Sequence, residues 1–135
     1  MMKTKTLRDI FVGAGIASVL LAPIPVLAAD VAGEIATAAT HATLASQAGT
    51  LVGVQMHLHH AINCIVGPSD SRFDAKQLNP CVGSGNGAIP DTSDAAKKKA
   101  LEAAATTAGT GLATSDLAKA HKAATDTASQ LKAIK

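Results

Sequence analysis

Small apolar residues returning at helical intervals, in four segments cut apart by glycine and proline, constrain this chain more than any other feature. Across residues 30–48, Val31, Ile35, Ala38, Ala42 and Ala45 recur every three or four positions, the interval that lines one face of an α-helix. Residues 50–66 repeat it with Leu51, Val54, Leu58, Ile62 and Ile65, residues 93–108 with Leu101, Ala104, Ala105 and Ala108, and residues 116–134 with Leu117, His121, Ala124, Ala128 and Leu131. Gly49, Gly67-Pro68 and Gly109-Thr110-Gly111 interrupt the pattern, and Asp30, Thr92 or Ser93, and Thr114-Ser115-Asp116 offer N-caps, with Asp94 in a first turn. Four helices with small seam residues predict an all-α, up-and-down four-helix bundle. Alanine seams bury little apolar area, and burial stabilises by only about 25 cal/mol per Å². Such a bundle needs a disulfide, a bound ligand or a homodimer partner to be robust.

Residues 67–91 carry no sustained period. Gly67-Pro68-Ser69-Asp70-Ser71, Asn79-Pro80-Cys81 and Gly83-Ser84-Gly85-Asn86-Gly87 are turn formers, so this is a long loop between the second and third helices. Loops of this length in small domains are functional or pinned. Cys64 and Cys81 are the only two cysteines. They read as one disulfide, worth about 3 kcal/mol by chain entropy, with a pair of thiolate ligands as the alternative. The bridge would draw the loop against the second helix, over His57 and His60. Asp70, Arg72 and Asp74 in the loop read as local turn and solvent contacts.

Lys3, Lys5 and Arg8 precede an apolar run from Ile10 to Ala22, then Pro23, Pro25 and Val26-Leu27-Ala28-Ala29. A basic start, a short apolar stretch and a small-residue cleavage site describe a secretory signal peptide over residues 1–29. The expected destination is periplasmic or secreted, an oxidising setting that suits the disulfide. An uncleaved membrane anchor is the alternative; after cleavage no membrane association is expected. With the segment go three cations and one anion, so the formal net charge of +2 falls to zero. No charge surplus remains to drive nucleic-acid binding, and Phe73 is the sole aromatic ring left for bases to stack on.

The chemistry concentrates in Gln55-Met56-His57-Leu58-His59-His60-Ala61-Ile62-Asn63-Cys64, which holds three of the five histidines. Imidazole and thioether side chains carry lone pairs at neutral pH and suit transition metals. His57, His60 and Cys64 share one sector of the second helix, away from its core seam; His59 points elsewhere. A metal site would use His57 and His60 first, with Met56, His41 or His121 completing it. His41 lies two turns after Glu34 at the edge of a thin seam, and His121 sits within one. As isolated residues both also read as structural histidines.

At His41 and His121, set in Ala39-Thr40-His41-Ala42 and Lys119-Ala120-His121-Lys122-Ala123, the chain resembles the small periplasmic metal-binding proteins. Those are four-helix bundles whose outward-facing histidines bind copper, nickel or zinc, and the resemblance implies the same class of metal here. A looser similarity to periplasmic bundle cytochromes would make Met56 and His121 an axial pair for noncovalent haem. No Cys-x-x-Cys-His run exists for covalent haem. Nucleophile, zinc-protease, phosphate-loop and dinucleotide fingerprints are missing, so no enzyme is expected. The leading expectation is an exported bundle that binds a transition metal. The rivals are a structural or protein-interaction bundle without a ligand, and a noncovalent haem binder.

Overall fold

The computed structural model describes residues 28–135. The signal peptide expected over residues 1–29 lies almost wholly outside the described residues. Four long helices form the bundle: α1 (Val31–Gln47), α2 (Leu51–Val66), α4 (Ala95–Leu112) and α5 (Leu117–Ala133), with a single-turn helix α3 (Ala88–Asp91) where the long loop ends. Helix α1 packs on α2 and α5, and α4 packs on the same two, so the four stand at the corners of a square. No helix among the described residues is long and apolar enough to cross a membrane.

The caps explain where the helices begin. Asp30 accepts from the Gly33 amide at 2.8 Å, Thr50 from Gly53 at 3.1 Å, and Asp116 from Lys119 at 3.0 Å. Each satisfies an N–H that the first helical turn leaves without a partner. At the third long helix the cap is Asp94, which accepts from both Ala96 and Lys97. Thr92 and Ser93 therefore lie outside α4, and Asp94 precedes its first turn. The same helix runs through Gly109-Thr110-Gly111 to Leu112 instead of breaking at Ala108. Gly111 is needed for space there: a Cβ on it would stand 2.5 Å from Leu58 Cδ1 and 3.1 Å from Ala123 Cβ.

Val54, Leu58, Ile62 and Ile65 of α2 are buried, with Leu101, Ala104, Ala105 and Ala108 of α4 and Leu131 of α5 facing them across the core. The expected seam of α5 is rotated. Leu117 is exposed and His121 half-buried, while Ala120, Ala123 and Thr127 join Ala124 and Ala128 inside. Alanines at these positions let the helix axes approach closely.

The disulfide joins Cys64 to Cys81, with Cα atoms 5.3 Å apart, and pins the loop between α2 and α3. Asn63 pins it a second time. Its side chain is buried, donates to the carbonyls of Asp74 (3.0 Å) and Leu78 (3.2 Å), and accepts from the Asp74 amide (2.9 Å). Gly67 and Gly87 close the loop on itself with positive φ, and a Cβ on Gly67 would collide with the Asn86 carbonyl. Arg72 is more than a local turn contact: its guanidinium donates to Asp70 and reaches Glu102 on α4 at 2.7 Å.

Candidate metal centre

Helices α1 and α2 run antiparallel, which brings the middle of one against the middle of the other. That register sets His41 of α1 against His57 and His60 of α2. The three rings form a triangle of centroids 5.1 to 5.6 Å apart. One ring nitrogen from each lies within 4.8 Å of the others. His57 and His60 share a face because they are three residues apart on a helix. His41 is delivered by a different element, which ties the geometry of the triad to the packing of α1 on α2.

The Nδ1 atoms of His41 and His57 stand 3.4 Å apart. A tetrahedral ion with metal–nitrogen bonds of 2.0–2.1 Å holds neighbouring ligand atoms about 3.4 Å from each other, so this pair already has the edge length of such a site. The ligand nitrogen of the third ring is within 4.8 Å of the other two. His60 is the most buried of the three at 8% exposure, and its Nδ1 is covered without any hydrogen-bond partner. Leaving a buried ring nitrogen unpaired costs about 1–3 kcal/mol, a penalty that a cation bound at Nδ1 would remove.

Burial lowers the pKa of His41, assisted by repulsion from His57. Burial also lowers that of His60, assisted by His41, His57 and His59. Both effects favour the neutral imidazole with its lone pair free, the form a metal requires. No carboxylate is among the causes of either shift. The group of three contains no carboxylate, so its donors would leave the charge of a bound cation uncompensated.

The other anticipated ligands go elsewhere. His121 donates through Nε2 to the carbonyl of Ala48 at 2.7 Å, at the C-terminal end of α1. Helix α1 has no basic residue in its own last turn, so a side chain from α5 satisfies one of its terminal carbonyls. His121 is therefore not brought to the triad, and its Nε2 is already engaged. Met56 is 40% exposed and lines a surface depression with His59. The face carrying His57, His60 and Cys64 is also not an outer one covered only by the loop. Helix α1 meets it, burying His60 and Cys64, and it is His41 on α1 that joins the pair.

Glu34, an acidic residue whose type carries no mark of burial, is fully buried. It lies two turns before His41 on α1. Its Oε1 accepts from the Gly87 amide at 3.0 Å, while Oε2 has no partner. Burial raises its pKa, and Asp91 and Asp30 push in the same direction against the hydrogen bond from Gly87. Through the Gly87 amide, Glu34 holds the end of the long loop against α1.

Set against known proteins, the chain matches no family model, no curated protein and no solved structure. What the molecule itself presents is a small helical bundle with a histidine triad. The resemblance to periplasmic metal-binding bundles rests on the composition around His41 and His121, and only the first of these belongs to the triad.

Proposed function

We propose that this is an exported, non-catalytic bundle that binds a borderline divalent ion, copper, zinc or nickel, through His41, His57 and His60. The observation that carries the reading is the convergence of three ring nitrogens within 4.8 Å, drawn from two helices. Three neutral imidazoles are the donor set preferred by these ions, and three protein ligands leave a coordination position for water or a ligand from a partner. A triad of histidines with no carboxylate among them favours holding or passing on an ion over acid–base chemistry at it. The disulfide suits an oxidising compartment, in agreement with the secretory reading of residues 1–29.

Calorimetric titration with Zn(II), Cu(II) and Ni(II) tests the proposal. One equivalent binding with Kd near 1 μM or below, about 8 kcal/mol, is expected for at least one ion. His41→Ala and His57→Ala should each weaken it by a factor of about 10 to 100, the scale on which ligand-shell losses act. Dissociation constants above about 100 μM for all three ions, or wild-type affinity in both variants, would overturn it. His121→Ala should leave the affinity unchanged, since that ring serves the end of α1.

A further inference from the structure

Outside the triad, Met56 and His59 stand three residues apart on α2 and open onto one shallow depression, shared with Val52, Gln55 and Gln77. Side chains at this spacing lie beside each other on a helix. Neither is committed to the core: Met56 is 40% exposed and Val52 beside it 76%, while the His59 side chain is 27% exposed. An exposed thioether next to a half-exposed imidazole is a pair of soft and borderline donors outside the core seam.

A carboxylate lies behind His59. Its Nδ1 is covered and has no hydrogen-bond partner, and it faces the Asp74 carboxylate, with Oδ2 at 3.7 Å. Since Nδ1 is covered, the exposed edge of the ring is the one bearing Nε2. A carboxylate on the Nδ1 side favours the tautomer with the proton on Nδ1, which leaves the Nε2 lone pair facing outward. Asp74 is in turn fixed by its own backbone, whose N–H and carbonyl are both bound by Asn63, and its Oδ1 accepts from the Lys76 amide. The long loop thus supplies a carboxylate behind a histidine whose other nitrogen is free. Metal-binding histidines are commonly backed in this way.

From this arrangement we infer that Met56 and His59 form a second, softer metal site, for monovalent copper, separate from the triad. A thioether sulfur selects Cu(I) over zinc or nickel, and a monovalent copper ion is satisfied by as few as two such donors. Asp74 is a positioning residue here, acting through the tautomer and ring orientation of His59. The site would bind Cu(I) as such, with no change of oxidation state at the protein. It does not depend on the triad: no residue is shared, and the two are expected to differ in the ion they prefer.

Met56 is the only methionine outside Met1 and Met2, so its methyl group is a private reporter. The experiment titrates the intact protein, labelled with 13C at the methionine methyls, with Ag(I) as a redox-inert stand-in for Cu(I). The Met56 signal is identified by its loss in Met56→Leu. The expected result is a shift of that methyl saturating at one equivalent, together with movement of the His59 ring resonances. Met56→Leu and His59→Ala should each weaken Ag(I) binding at least tenfold while leaving Zn(II) binding unchanged. Asp74→Asn should retain the Met56 shift but alter the tautomer-sensitive 15N shifts of His59, which loss of loop packing alone would not do. If Ag(I) leaves the Met56 methyl unmoved, or binds Met56→Leu with wild-type affinity, the site does not exist. Failure of Zn(II) binding alone would count against the triad and not against this site.

Discussion

The α1–α2 hairpin and the α4–α5 hairpin are built on the same plan and used in opposite ways. In α4 and α5 the buried residues are alanines, two leucines and Gly111, and the one buried polar side chain, Thr127, is satisfied by the Ala123 carbonyl of its own helix at 2.7 Å. The α1–α2 hairpin instead buries Glu34, His60 and Asn63. Two of these three keep an unpartnered atom, Glu34 Oε2 and His60 Nδ1. Each such atom opposes folding by about 1–3 kcal/mol. One hairpin is packing throughout, whereas the other gives up packing to gather donors, and it is the one that carries a disulfide.

The contrast is broken most severely by removing that cross-link. Cys64→Ser with Cys81→Ser should destabilise the protein by about 3 kcal/mol, measured by urea unfolding. A loss under about 1 kcal/mol would mean that Asn63 alone pins the loop. Overfilling the packed hairpin comes next. Gly111→Val places new atoms against Leu58 and Ala123 and should destabilise by about 2 kcal/mol with Zn(II) affinity unaffected once folded. A large change in affinity would show that the two hairpins are not separable.

Glu34→Gln should have the reverse sign, stabilising by about 1 kcal/mol at pH 7. Gln keeps the oxygen that accepts from Gly87 and carries no charge. The pH dependence follows from the raised pKa of Glu34. As pH rises above the ordinary 4.5, the unfolded chain ionises first, so stability falls until the folded carboxyl also ionises. Glu34→Gln should flatten that slope. The histidines act in the other direction: with His41 and His60 lowered from 6.5, the unfolded chain takes up protons first as pH falls below that value, and stability is lost toward acid. Paired urea titrations from pH 4 to 8, roughly the span of these groups, separate the two slopes. The smallest effect is expected at Arg72→Ala. Its ion pairs with Asp70 and Glu102 are at the surface and partly exposed, and such pairs contribute no more than about 1 kcal/mol.

Much of the architecture was readable because a helix advertises its buried face by interval. The stripe Val54, Leu58, Ile62, Ile65 and the breaks at Gly49 and Gly67 sufficed to place two helices. Where the sequence misled, a local signal met a tertiary one. Gly109 and Gly111 look like a helix stop, but Gly111 is small because Leu58 lies against it. His57 and His60 were visible as a pair on one helix. Joining them to His41 rather than His121 required the antiparallel register of α1 against α2, which no spacing along the chain encodes. Glu34 and Asn63 were harder still. An acidic or amide residue near a helical seam carries no mark of burial until the loop that covers it is in place.

The measurement that bears most directly on the triad is X-ray absorption spectroscopy of the zinc-loaded protein, compared with its His41→Ala variant. Wild type should show three imidazole nitrogens at about 2.0–2.1 Å, with water or another light ligand completing four. The variant should show two, or no ordered zinc. Two or fewer imidazoles in the wild type, or an unchanged spectrum in His41→Ala, would mean that α1 does not contribute and that His41, His57 and His60 are not one site.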